Sequence, residues 1–321
     1  MNTKFVAIGH VDTGKSTLCG HLLYLTGYID EHELIKIRQT AEKNKMSRWS
    51  WAYILDMYKE ERAKGKTHEM NQIDFNHKGN RFTLVDTPGH LDFVREMIKG
   101  THDVNIAVLI ASAIPTEFES SFERGMLKEH LMLAGSRRIQ HLIVAINKMD
   151  AVDWDEKQYN KVVDKVNRHI KHLKAWKESN VKYLPISAWE GDGLIKPSEK
   201  ATWYKGSGLL DLIDKIGIIK PTHKYTNDTV TSKELLVSMR VFNSPIPITA
   251  GYSGVLHYND CETEYTIKTI ISDKKILTDG DKAKAILTLA QAGMFTPKQV
   301  LIIRKDKNTI GYCLVKGRKP I

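Results

Sequence analysis

Hydrophobic and polar positions follow two different textures along the chain. Up to about residue 220, short β-rich runs recur at 4–9, 81–85, 106–111, 141–147 and 181–187. Stretches with helical periodicity separate them, at 15–24, 91–99, 122–134, 154–171 and 209–215. Strands alternating with helices predict βαβ units, and so a mostly parallel sheet with right-handed crossovers and helices on both faces. A polar, largely helical insertion at 31–64 separates the first helix from the second β-rich run. The texture changes at 220–229, where Lys-Pro-Thr-His-Lys-Tyr-Thr-Asn-Asp-Thr has no periodicity and reads as a linker. Beyond it the helical signal fades, and short β-rich runs follow at 234–242, 250–258, 262–271, 282–289, 299–304 and 309–315. Their turn-like spacing predicts a small antiparallel β-barrel. The expected organisation is an α/β domain at 1–220, a linker at 221–233 and a barrel at 234–321.

Composition narrows the class. A chain of 321 residues has room for two domains. With 27% charged and 41% hydrophobic residues it has the profile of a folded, soluble protein. Lys and Arg number 48 against 38 Asp and Glu, a net charge of +10, which suits either a polyanionic partner or a merely basic protein. The apolar run at 104–113 is too short to span a bilayer and carries Asn105. Met1-Asn2-Thr3-Lys4 runs straight into a strand, with no secretory leader pattern. Cys19, Cys261 and Cys313 have neither metal nor redox spacing and read as small hydrophobes in a reducing compartment, so the expected location is the cytoplasm.

Three motifs supply chemistry. Gly9-His10-Val11-Asp12-Thr13-Gly14-Lys15-Ser16 matches the P-loop pattern between a strand and a helix. Glycines let consecutive N–H groups curl around phosphate oxygens, and the helix N-terminus adds positive charge. Lys15 then reaches the β- and γ-phosphates, and the Ser16 hydroxyl ligates Mg²⁺. Asp86-Thr87-Pro88-Gly89-His90 follows the second β-rich run. Asp86 suits a metal reached through water, Gly89 can turn its N–H toward a γ-phosphate, and His90 then stands beside the attacking water. Asn147-Lys148-Met149-Asp150 selects the base. The Asp150 carboxylate accepts from the N1–H and the exocyclic amine of guanine, whereas adenine presents an acceptor at that ring nitrogen. Asn147 is expected at the N7/O6 edge, the Lys148 stem on the base face, and the Ala188 N–H of Ser187-Ala188-Trp189 at O6. The order of these motifs, each ending a β-rich run, points to a guanine-nucleotide site.

These residues resemble the translational GTPases, in the branch of elongation factor 1-alpha, eukaryotic release factor 3 and the ribosome-rescue GTPases. Residues 9–17, 86–90 and 147–150 carry the likeness, with His21-Leu22-Leu23-Tyr24, Gly27, Glu117-Phe118-Glu119 and Glu129-His130. The segment 60–69, with Lys66-Thr67, looks like the release-factor version, while Pro185 to Trp189 with Gly191-Asp192 leans toward the elongation-factor version. The resemblance implies an α/β P-loop GTPase domain that binds GTP and GDP with Mg²⁺, through residues 9–17, Asn147, Lys148, Asp150 and Ser187 to Trp189. Thr17 is included as the residue that follows Ser16. It implies that Thr67 closes over the metal, that His90 positions water, and that Asp12 assists beside a monovalent cation. Val11 would form half of an apolar gate whose other half here is Lys66. The final segment resembles the family's third domain, a β-barrel, and no stretch is left for the second barrel that relatives place before it.

The implied activity is GTP hydrolysis by a monomeric translation-factor-like switch acting on the ribosome in elongation, termination or rescue. tRNA or a release-factor-like protein would be its further partner, with no membrane involved. The competing reading is a nucleotide-gated module that docks on the ribosome or a release-factor-like protein and regulates translation. The basic positions Arg304, Lys305, Lys307, Lys316, Arg318 and Lys319 suit RNA or a solvated charged edge. Trp49 and Trp51 suit packing of the insertion on the core better than base stacking. His169 and His172 read as a basic helix surface rather than a metal pair.

Overall fold

The computed structural model describes residues 2–43, 51, 53–55, 72–87, 104–124, 126–137, 139–173, 175–217, 230–242, 244–258, 261–306 and 308–317. The strand β1 (Asn2–Ile8) lies between two parallel neighbours. An antiparallel edge strand, β2 (Gln72–His77), turns at Lys78 and Gly79 into the first neighbour, β3 (Asn80–Asp86). The second neighbour is β4 (Ile106–Ser112), and β5 (His141–Asn147) and β6 (Val181–Pro185) continue the parallel run. The order is β2-β3-β1-β4-β5-β6. The hydrophobic pattern did not announce β2. Only Ile73 and Phe75 of this strand are buried, between polar Gln72, Asp74 and Asn76, so its apolar signal is two residues long.

Helix α1 (Lys15–Leu25) packs on β1 and β3. Helix α2 (Glu31–Lys43) begins where Asp30 Oδ1 accepts the Glu33 N–H at 2.7 Å, an N-cap. The expected helix at 122–134 is broken. Pro115 opens a short helix, α3 (Pro115–Glu119), which runs into a π-helical turn (Ser120–Arg124) before α4 (Leu127–Ser136). Asp155 caps α5 (Glu156–Leu173), and α6 (Leu209–Gly217) packs on β1 and β4. Phe5, Leu18, Leu22, Val108, Ile143 and Ile213 share one core cluster. The alternate residues Val6, Ile8, Leu109 and Val144 are equally buried, so both faces of the sheet are covered.

The second body is a closed antiparallel barrel, ordered β10-β7-β12-β11-β8-β9. Its strands are β7 (Val230–Val241), β8 (Ser253–Tyr258), β9 (Cys261–Ile271), β10 (Lys282–Phe295), β11 (Val300–Lys305) and β12 (Asn308–Gly317). Every β-rich run expected there is a strand. In β9, Thr263, Tyr265 and Ile267 face inward while Glu262, Glu264 and Thr266 face out, the period of a half-buried strand. The strand β7 pairs Val230 with Phe295, so the expected linker at 221–233 loses its last residues, from Val230, to the barrel. Cross-strand pairing with the far end of β10 extends this strand through polar Thr231, Ser232 and Lys233, where composition suggested a connection. Between α6 and β7 only residues 218–229 remain, far fewer than the roughly 100 that another barrel needs. The chain divides into two compact units, one of residues 1–130, 139–170 and 176–220, the other of residues 131–138, 171–175 and 221–321. Among the described residues no helix is long and apolar enough to cross a membrane.

Candidate functional site

Because β1, β3, β5 and β6 belong to the parallel run, the loops that leave them open on one edge of the sheet, where α/β folds place their ligands. The loop after β1 curls tightly. Gly9 (φ 149°), Asp12 (φ 62°) and Gly14 (φ 90°) all have positive φ. A Cβ on Gly9 would stand 2.5 Å from the Ile110 carbonyl oxygen, and one on Gly14 2.3 Å from Asn147 Nδ2, so neither position accepts a side chain. Lys15 Nζ arches back to donate to the His10 carbonyl at 2.7 Å, and Thr13 Oγ1 donates to the same oxygen at 2.8 Å. Burial lowers the Lys15 pKa to about 8, with Asp86, Cys19 and Asp12 pulling it back up. Ser16 follows in the first turn of α1, half-buried, while Val11 is exposed.

Asp86 closes β3 and is buried, and Thr87 Oγ1 donates to the Ala7 carbonyl at 2.7 Å. Thr67, Gly89 and His90 lie outside the described residues, as do Lys66 and Pro88. Their expected roles are therefore carried by sequence alone.

The loop after β5 is tied to its neighbours through Asn147. Asn147 is 2% exposed. Its Nδ2 donates to the Thr13 carbonyl and its Oδ1 accepts the Ala188 N–H, both at 2.8 Å. Asn147 was expected to read the N7/O6 edge, and the Ala188 amide to meet O6. In the structure the two groups also bond to each other, and Asn147 ties the P-loop to the loop after β6. Lys148 sits in the left-handed region, with its Nζ donating to Glu117 Oε1 at 2.9 Å and Oε2 at 2.7 Å. Ser112 Oγ also donates to Glu117 Oε2, at 2.7 Å. Asp150 Oδ1 is buried and accepts no hydrogen bond among the described residues. Ser187 Oγ accepts the Glu190 N–H at 3.2 Å, and Trp189 is exposed.

Sequence reasoning assigned no role to three side chains that build this edge: Glu117, His130 and His21. His130 on α4 is buried, and its Nδ1 accepts the Gly9 N–H at 2.8 Å. Burial and the nearby Lys15 charge lower its pKa to about 3, so it stays neutral and keeps that acceptor. His21 on α1 donates from Nδ1 to the Ala188 carbonyl at 2.8 Å. Their signal was a histidine at a helical position among apolar residues, which ordinary core packing also produces. Trp51 is buried against α1, as packing of the insertion requires, while Trp49 lies outside the described residues. His169 packs edge-on against Phe122. Among the described residues no three His, Cys, Asp or Glu side chains gather as a metal site.

The family model described as "Elongation factor Tu GTP binding domain" matches residues 2–226, well over half the chain. The chain belongs to this family. Within this GTP-binding family it is similar to an elongation factor 1-alpha from Ignicoccus hospitalis, 41% identical over 216 residues, covering 66% of this chain and 49% of that protein. It is also similar to the eukaryotic peptide chain release factor GTP-binding subunit of Schizosaccharomyces pombe, 40% identical over 221 residues, covering 67% of this chain and 33% of that one. The chain spans about half the length of the first of these relatives and a third of the second. Among solved structures it superposes on the GTPase-like domain of Ski7 from S. cerevisiae with a TM-score of 0.81 and 15% identity, over 99% of this chain and 98% of that one. This likeness shows the fold. The chain is thus a member of the translational GTPase family whose single described barrel fits a shortened form.

Proposed function

We propose that the chain is a guanine-nucleotide switch that binds GTP and GDP on the loops after β1, β5 and β6, and hydrolyses GTP by in-line attack of water. The observation that carries the reading is the Asp150 carboxylate, whose Oδ1 is buried without a partner among the described residues. An acceptor left in that state costs on the order of 1–3 kcal/mol. Guanine brings the donors that remove the cost, N1–H and the 2-amino group, and adenine does not. The buried Lys15 ammonium supports the phosphate half, because a polyphosphate supplies the negative charge that its burial lacks.

Ser16 and Thr67 would hold Mg²⁺ directly and Asp86 through water. Hydroxyl and carboxylate oxygens suit that hard cation, and Asp86 lies buried within electrostatic reach of Lys15. The ion would neutralise charge on the β- and γ-phosphates. Lys15 shares that task, the Gly89 N–H meets the γ-phosphate, His90 orients the water, and Asp12 assists beside a monovalent cation. Residues 1–220 form the GTP-binding domain in this reading. The barrel resembles the family's third domain and meets tRNA or a release-factor-like protein. The chain acts as a cytoplasmic monomer, with the ribosome as its activator.

Binding of GDP, GTP and ATP to the purified chain with Mg²⁺ tests the base reading; equal affinity for ATP sinks it. Asp150→Asn exchanges an acceptor for a donor, and should trade guanosine nucleotides for xanthosine nucleotides, whose 2-oxo group accepts. The competing nucleotide-gated docking module is favoured by the short 218–229 connection, which leaves no room for a second barrel. Phosphate release with and without ribosomes separates the two. A GTPase switch is accelerated, whereas a docking module binds in a nucleotide-dependent way without acceleration.

A further inference from the structure

We propose that His21 is a positioning residue that links the loop at Ser187, Ala188 and Trp189 to the aromatic stack on Trp51, so that the packing of Trp51 sets how firmly this loop holds guanine. The proposal rests on the guanine-nucleotide reading above and adds a control element to that site.

His21 lies inside α1, downstream of Lys15, and is fixed on several sides. Its ring is stacked flat on the Trp51 indole, with centroids 3.9 Å apart and planes 8° from parallel. The Arg38 guanidinium from α2 lies 5.2 Å from the same indole. The edge of His21 points the other way, where Nδ1 donates to the Ala188 carbonyl at 2.8 Å. Behind it, Gly191 leaves the space the imidazole fills: a Cβ there would stand 2.8 Å from both Cε1 and Nε2. Gly20 plays the same part for the insertion, since a Cβ on it would stand 2.0 Å from the Trp51 carbonyl oxygen. Tyr24 flanks the stack at 6.3 Å from His21 and 5.6 Å from Trp51. Burial and the Arg38 charge lower the His21 pKa, which keeps the ring neutral with its proton on Nδ1.

Ala188 is thereby held on both flanking peptides. Its amide bonds to Asn147 Oδ1 and its carbonyl accepts from His21. A loop fixed before the ligand arrives does not have to be ordered by it, and that preorganisation slows release. If Trp51 loses its place, the imidazole loses the face that orients it, and the bond to Ala188 weakens. His21 and Trp51 lie outside the residues that the proposed site assigns to the nucleotide. The effect therefore belongs to the loop rather than to a lost ligand contact.

The test measures dissociation of a fluorescent GDP analogue from the full chain in wild type, His21→Phe, Trp51→Leu and the double variant. Phe keeps the stack and loses the bond, so release should quicken about ten-fold, the worth of one buried hydrogen bond. Trp51→Leu should quicken release in the wild-type background and add nothing in the His21→Phe background. His21→Asn, which places an N–H near the former Nδ1, should recover part of the slow release. A second readout separates positioning from general weakening. The preference for GDP over 6-thio-GDP, which keeps the N1–H and 2-amino group and differs at the 6-position, should shrink in His21→Phe. Unchanged release in His21→Phe, or equal acceleration by Trp51→Leu in both backgrounds, overturns the proposal. Wild-type protein that fails to bind GDP, or binds ADP as well, overturns the nucleotide reading itself and this proposal with it.

Discussion

Replacing Asn147 by Ala separates two roles that the sequence motif merges, reading the base and tying the loops. In the structure one N–H and the oxygen of the Asn147 amide are bonded to protein. The amide donates to the Thr13 carbonyl and accepts the Ala188 N–H, both at 2.8 Å, in a site that is 2% exposed. Truncation leaves two buried backbone groups unpaired, at about 1–3 kcal/mol each, so the expected loss is roughly 2–6 kcal/mol. For a domain of this size each kcal/mol moves the melting temperature by roughly 2–4 °C, so Asn147→Ala should lower it by about 4–24 °C. The assay is thermal unfolding of nucleotide-free protein, stripped of GDP by phosphatase. The control is Asp150→Ala, which removes a buried carboxylate oxygen lacking a protein partner among the described residues. That variant should lose GDP binding with nucleotide-free stability unchanged or raised. If Asn147→Ala melts within about 1 °C of wild type without nucleotide and fails only in GDP binding, the tie is not what Asn147 contributes.

Three further outcomes follow from the same geometry. Lys15 has a folded pKa of about 8 against 10.5 for an exposed lysine, so between those values the unfolded chain binds more protons and stability rises with pH. Bound phosphate restores the proton, so above about pH 8 GDP binding should take one up and weaken, with proton uptake read by titration calorimetry in two buffers. Glu117→Gln frees the Lys148 ammonium, but both side chains are partly exposed, so GDP should weaken by less than about ten-fold and the effect should shrink in high salt. Gly311→Ala would set a Cβ 2.0 Å from the Arg240 carbonyl oxygen inside the barrel. Calorimetry should show it destabilising by more than about 2 kcal/mol, with GDP affinity unchanged because the residue lies far from the P-loop in sequence and in a separate compact unit.

The parts legible in the sequence were those written in short-range pattern. Strand β5 matches its β-rich run from His141 to Asn147, because seven consecutive apolar-rich residues buried on both faces leave no other reading. The barrel strands were legible for the same reason, through their period of two. What escaped was set by partners distant in sequence. The first residues of β7 are polar and become strand only by pairing with the end of β10. The strand β2 carries two inward residues and depends on β3. In the site the motif residues were visible as letters, but their partners were not. Nothing local says that Gly9 will donate to a histidine 121 positions away, or Lys148 to a glutamate 31 positions away.

These long-range partners explain how the work of the site divides. Gly9 is held by His130, Thr13 and Ala188 by Asn147, Ala188 again by His21, and Lys148 by Glu117. The base half and the P-loop are therefore built before any ligand arrives. In the proposed site the tied residues Gly9, Thr13, Asn147, Lys148 and Ala188 meet the guanine and the α- and β-phosphates, which are common to GDP and GTP, while Lys15 also reaches the γ-phosphate. A ligand shifts an equilibrium only by contacts that differ between the two states, so these ties contribute affinity and selectivity but no switching. In the proposed site discrimination between GTP and GDP comes from the groups that meet the γ-phosphate: Lys15, Thr67 and Gly89. The consequence is measurable: substitutions at Asn147, His21 or Glu117 should weaken GDP and GTP by the same factor. A substitution in this layer that changed their ratio would show that the ties themselves respond to the γ-phosphate.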